Sequence, residues 1–178
     1  MKTNFIAWLL LLATLVCISG CSSPKDERPE IVDGYYTYIL QEDGTYTIKA
    51  TDPNNFPEEI TIPKSYNGVA ISGIADHGFS KCKGLKKVTI PETFTKIETG
   101  AFYMCPDLVE VILPKSIQSF GKGSFGLCEQ ELTFRYDGTK AEWENIRKAN
   151  NWASEVRCYA VCSDGSVYKS YKVDDIAW

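Results

Sequence analysis

Between Val69 and Tyr136 the chain repeats itself every 23 residues, and that period limits the possible folds more than any other feature. Cys82, Cys105 and Cys128 share the spacing, as do Phe79, Phe102 and Phe125. So do Ile71, Phe94 and Ile117, followed by Ile74, Ile97 and Phe120. Leu85 with Leu108, Val88 with Val111, Ile90 with Leu113 and Pro91 with Pro114 extend the register. A unit this short cannot bury its own apolar face, so it must stack on a neighbouring copy. The expected fold is a β-rich solenoid of about three repeats. Its margins look irregular: Ile60-Thr61-Ile62-Pro63 precedes Val88-Thr89-Ile90-Pro91 by 28 residues, and Leu132-Thr133-Phe134 reads as following its predecessor after 21.

Residues 1–20 are not expected to be part of the folded domain. Lys2 precedes Phe5 to Ile18, an apolar run broken only by Thr14. The run is shorter than the roughly 20 residues a membrane span needs and suits a signal-peptide core. Ile18-Ser19-Gly20-Cys21 resembles a lipobox, which implies cleavage before Cys21 and acylation of its thiol. An ordinary signal peptide with an incidental cysteine is the alternative. Cleavage there removes one lysine and no acid, taking the formal net charge from −4 to −5. Mild acidity does not supply the basic stripe that nucleic acid requires.

Residues 21–33 read as the lipidated cysteine and a flexible tether, with two prolines and several charges. Lys25-Asp26-Glu27 also resembles the acidic export signal of some surface lipoproteins. Residues 34–55 alternate with a period of two about Asp43-Gly44, the pattern of a hairpin. That hairpin is placed to cover the open first repeat, although its tyrosines also admit a sugar-binding platform. Residues 56–136 hold the repeats, and 137–178 form a closing cap and tail. In that cap Thr139 and Glu142 make a capping box ahead of Trp143 and Ile146. Val156 to Cys162 and Val167 to Val173 read as a final hairpin about Asp164-Gly165, and Asp174 to Trp178 has no assignment.

The phrases Ile-Pro-x-x-Tyr-Asn-Gly, Gly-Phe-x-x-Cys-x-x-Leu-x-x-Val-x-Ile-Pro and Gly-Ala-Phe-x-x-Cys-x-x-Leu resemble the BspA-type leucine-rich repeat over residues 56–162. The resemblance implies a right-handed solenoid with a strand on one face and shorter strands or turns on the other. It also implies a cell-surface protein of the kind that adheres to host or matrix proteins.

Several residue groups invite chemical readings. Metal needs ligands converging on one point, whereas a stacked repeat sets Cys82, Cys105 and Cys128 along a line. A buried ladder of reduced thiols is expected, adjacent-rung disulfides being the other geometry within reach. Cys158 and Cys162, four apart on one strand face, are too distant to pair directly. Gly121-Lys122-Gly123-Ser124-Phe125-Gly126 fits GxGxxG, but one period earlier two of the glycine positions hold Glu98 and Tyr103. The glycines are therefore expected as turn residues, not a nucleotide fingerprint. His77, the only histidine, aligns with Gly100 and Gly123 and has no nucleophile pattern around it.

The solvent face of the repeat strands remains. Alternation points Ile60, Ile62, Val88, Ile90, Val111, Leu113, Leu132 and Phe134 inward. One outward row is then Glu59, Lys87, Glu110 and Glu131, and the other is Thr61, Thr89, Ile112 and Thr133. These eight are the candidate partner-binding residues, Ile112 being the apolar anchor among polar neighbours. An ordinary solvated sheet face is the competing reading. The expectation is a non-catalytic, cofactor-free, metal-free protein, lipid-anchored at Cys21 in a bacterial outer membrane and facing outward. It is expected to be a monomer or weak dimer that binds a protein partner. A glycan-binding module, resting on the tyrosines and on Trp143, Trp152 and Trp178, is the alternative.

Overall fold

The computed structural model describes residues 28–169. The expected signal segment, Cys21 and the tail from Asp174 lie outside them. Five strands stack in parallel to form the long sheet: β4 (Glu59–Thr61), β7 (Lys87–Thr89), β9 (Glu110–Leu113), β11 (Leu132–Tyr136) and β13 (Cys158–Cys162). A sixth strand, β14 (Gly165–Lys169), pairs antiparallel with β13. Ile60 pairs with Val88, Val88 with Val111, Val111 with Phe134 and Phe134 with Ala160. Successive turns therefore span 28, 23, 23 and 26 residues, and the solenoid has about four turns.

Alternation has its expected consequence in this sheet. Val88, Val111, Leu113, Leu132 and Phe134 are fully buried, and Ile60, Ile62 and Ile90 nearly so. Across the core lies a second ladder of two-residue strands, β8 (Lys96–Ile97), β10 (Ser119–Phe120) and β12 (Arg147–Lys148), all parallel. Between the ladders, Phe102 is sandwiched by Phe79 and Phe125, with ring centroids 5.5 and 5.4 Å apart and planes within 11° and 7°. One ring per turn, repeated at the solenoid's rise, gives that stack directly from the sequence period.

The N-terminal hairpin forms where expected, from β2 (Tyr36–Leu40) and β3 (Tyr46–Ala50). Asp43 Oδ1 accepts both the backbone and hydroxyl protons of Thr45, which holds the turn and keeps the carboxyl below its ordinary range. β3 pairs in parallel with β6 (Val69–Ile74), which also pairs with β5 (Ser65–Tyr66). The hairpin thus extends the short-strand side of the solenoid, and Ile48 and Tyr38 seal its end. One boundary shifts: Glu30 to Asp33, expected within the tether, form β1 against β2. Ile31 and Val32 give that segment strand character despite its polar neighbours.

The C-terminal segment departs further from expectation. The helix α1 (Lys140–Asn145) has its capping box, Thr139 Oγ1 accepting the Glu142 amide at 3.3 Å and Glu142 Oε2 accepting the Thr139 amide at 2.9 Å. Trp143 and Ile146 are buried as the stripe requires. Yet β12 and β13 are not a separate cap, because each adds a parallel rung to one of the two ladders. The helix is an insertion within a turn of the solenoid, and among the described residues β14 is the strand that closes it.

A candidate binding face on the long sheet

The outward rows form, but with a corrected partner register. Thr133 pairs with Glu110 and Arg135 with Ile112, so β11 follows β9 after 23 residues and not 21. A two-residue slip leaves every side chain on its own face, so alternation alone cannot detect it. One row is Glu59, Lys87, Glu110, Thr133 and Tyr159; the other is Thr61, Thr89, Ile112, Arg135 and Val161. Glu131 precedes β11, is exposed, and belongs to neither row. Thr133 moves from the Ile112 row to the Glu110 row. Arg135, Tyr159 and Val161 were missed, although the 23-residue period applied to Ile112 reaches Arg135.

The face is fixed electrostatically at its centre. Lys87 Nζ lies 3.1 Å from Glu110 Oε2, and Arg135 Nε donates to Glu110 Oε1 from the other side. Hydrogen bonding from Arg135, then from Lys87, holds the Glu110 carboxyl below its ordinary range. Only 18% of the Glu110 side chain is accessible, against 57% for Arg135. The arginine therefore keeps most of its donors toward solvent while one orients the carboxylate. Beside this pair Thr89 and Ile112 are half-buried, and Thr61 and Glu59 are exposed. Five strands at about 4.8 Å make each row about 19 Å long, the reach of an extended segment of about six residues.

The remaining groups play structural parts. Cys82, Cys105 and Cys128 are buried free thiols. Cys105 donates to the Phe79 carbonyl at 3.0 Å and Cys128 to that of Phe102 at 3.3 Å, one rung back in each case. Burial pushes the Cys82 thiol up to about 12 and Cys128 to about 11, with Cys105 also raised. Cys158 and Cys162 are buried on the inner face of β13.

His77 adopts φ of 54°, beside 61° at both Gly100 and Gly123, so it occupies the left-handed turn position the repeat reserves. A Cβ on Gly121 would come within 2.7 Å of the Thr99 backbone nitrogen, so that glycine permits rung-to-rung approach. The GxGxxG match is a pair of turns, and no helix follows it.

Most of the rings offered as sugar platforms are used in packing, although Tyr35 stays 50% exposed. Trp143 and Trp152 are 6% and 1% exposed, and Tyr38 stacks on Tyr66 at 3.9 Å. Trp178 lies outside the described residues. A shallow groove of about 320 Å³ runs past Ile117, Gln118, Glu142, Asn145, Ile146 and Arg147. Glu142 is already engaged there by Lys115 and the helix cap.

Residues 54–143 match the BspA type leucine rich repeat region in six copies. The chain belongs to the BspA-type leucine-rich-repeat family. Among solved structures, this BspA-type chain is similar to a leucine rich cell surface protein of Faecalibacterium prausnitzii A2-165, at 15% identity and a TM-score of 0.36. That match covers 66% of this chain and 42% of the other, so the chain spans less than half the length of that relative. It is also similar to the T. pallidum leucine rich repeat protein, at 17% identity and a TM-score of 0.35, covering 60% and 71% of the two chains. No curated protein matches the chain.

Proposed function

We propose that this BspA-type repeat protein is a non-catalytic binding module, lipid-anchored at Cys21 on the outer surface of a bacterial outer membrane, with a protein partner seated on its long sheet. The carrying observation is the pair of outward rows, in which half-buried Ile112 sits beside the Lys87–Glu110–Arg135 cluster. An apolar centre ringed by oriented charge is the arrangement from which protein contacts draw affinity and register. Thr61, Thr89 and Thr133 flank it as small, hydrogen-bonding neighbours, and Glu59, exposed at the first rung, and Glu131, exposed beside β11, contribute only at the rim.

Membership of a family typically involved in binding and adhesion supports a host or matrix protein as the partner. The burial of Trp143 and Trp152 removes most of the support for the glycan alternative. The experiment is two-part. Protease applied to intact cells should release the domain, and Cys21→Ala should abolish acylation. Panels of matrix and envelope proteins should then be bound by the parent chain and lost, by tenfold or more, on Ile112→Asp. Protection from protease on intact cells would exclude adhesion, and unchanged binding by Ile112→Asp would exclude this face.

A further inference from the structure

The sheet that carries the N-terminal hairpin ends in β1, and the direction of its hydrogen bonds identifies what its open edge can accept. Leu40 N–H donates to the Pro29 carbonyl at 3.0 Å, in line with the β1–β2 register that pairs Glu30 with Ile39 and Ile31 with Tyr38. Hydrogen-bonded pairs alternate along an antiparallel ladder. Ile31 and Asp33 therefore turn their backbone groups toward β2, while Glu30 and Val32 turn theirs outward. No described strand lies beyond β1. All four of its residues are exposed, Ile31 at 38% and Val32 at 64%.

We infer that β1 pairs antiparallel with β1 of a second copy, joining two five-stranded sheets about a twofold axis at Ile31. Only certain registers match outward groups on both strands, and the one centred on Ile31 also suits the side chains. Each Glu30 exchanges two backbone hydrogen bonds with the partner's Val32, and Ile31 faces the partner's Ile31 at a closely spaced, non-hydrogen-bonded position. Ile31 lies on the same face as buried Tyr38 and Ile48 but is itself 38% exposed, so its counterpart covers the apolar surface that the single chain leaves open at this strand. No carboxylate meets a carboxylate: Glu30 lies opposite valine and is held by Lys49 at 2.8 Å, and Asp33 lies opposite Pro29 on the other face.

Four residues per strand bury far less than the roughly 1,200 Å² of a stable complex. The association is accordingly weak and concentration-dependent. It is separate from the long sheet, so its failure would leave the proposed binding face untouched.

Mild oxidation of the intact chain tests the register. Ile31→Cys should give a covalent dimer at ten times or more the yield of the unsubstituted chain, Glu30→Cys or Val32→Cys. Adding Val32→Pro to Ile31→Cys removes an outward N–H without touching the β1–β2 ladder, since proline is tolerated on a free edge. It should cut that yield at least tenfold while leaving the thermal midpoint unchanged. Equal yields from all three cysteine positions, or an Ile31→Cys yield indifferent to Val32→Pro, would overturn the pairing.

Discussion

The rungs from Phe79 to Cys128 and the rung from Arg147 to Cys162 share a backbone but not a side-chain inventory. Phe79 N–H donates to Ala101, Phe102 N–H to Ser124 and Phe125 N–H to Trp152, one contact repeated three times. Lys81, Met104, Leu127 and Glu155 occupy the same left-handed position, with φ between 55° and 62°. Within this frame the phenylalanine column Phe79, Phe102, Phe125 ends at Ala153, and the column Ala101, Ser124 ends at Trp152. Large and small have exchanged places between adjacent columns, and Trp152 stacks on Phe120 at 4.9 Å to fill the space. The thiol column likewise ends at buried Val156. Rung volume is conserved while residue identity is not, as close packing allows.

The largest effects should come from breaking either version of the column. Phe102→Ala removes the middle ring of three and should cost about 3–5 kcal/mol. Trp152→Ala should cost as much if the last rung is part of the same core, measured by denaturant unfolding of each variant. A loss below about 1 kcal/mol at Trp152 would make the C-terminal segment a separate lid.

A comparison of the thiol column with Val156 follows at alkaline pH. Thiols raised by burial stay neutral in the folded state while those of the unfolded chain ionise from about pH 9. Their contribution to stability is therefore full below that pH and is lost as the pH climbs through 11 to 12. Half-buried Tyr36, raised to about 12 chiefly by desolvation, adds to the same trend. Valine at positions 82, 105 and 128 should flatten the alkaline loss measured between pH 8 and 11, and an unchanged slope would remove the thiols from the explanation.

Smaller effects distinguish the insertion from the face. Thr139→Ala breaks the capping box of the inserted helix and should cost about 1 kcal/mol in thermal unfolding. Arg135→Ala should cost under about 1 kcal/mol, since the arginine is largely exposed and Lys87 still pairs with Glu110. It should also move the Glu110 carboxyl back up toward its ordinary range, observable by NMR titration. Because that carboxyl is held low, its stabilising contribution is present above its unfolded value and is lost as pH falls through the folded one.

The same contrast explains what the sequence could show. Where volume and spacing both repeat, as at Phe79, Phe102 and Phe125, stacking was legible without coordinates. Beyond Tyr136 the seven residues Lys140 to Ile146 interrupt the spacing and the column swap hides the matching residues, so the last rung read as a cap. The binding rows suffered a subtler error at Leu132-Thr133-Phe134. Apolar residues at 132, 134 and 136 satisfy alternation in either of two registers, so inward and outward were right and the neighbours were wrong. The 23-residue period would have led from Ile112 to Arg135, the neighbour that the strand pairing gives it. The lipid anchor proposed at Cys21 lies outside the described residues, and its support is the lipobox resemblance of Ile18-Ser19-Gly20-Cys21.

Amide hydrogen exchange on the native chain tests most directly whether five rungs form one cooperative solenoid. Phe125, Leu127 and Leu132 donate across the joint to Trp152, Ser154 and Arg157, as Phe79 and Phe102 donate across earlier joints. A single solenoid predicts that all five amides open with the same, global free energy. Exchange at Phe125, Leu127 and Leu132 many times faster than at Phe79 and Phe102 would contradict it and make residues 147–162 an independently opening cap.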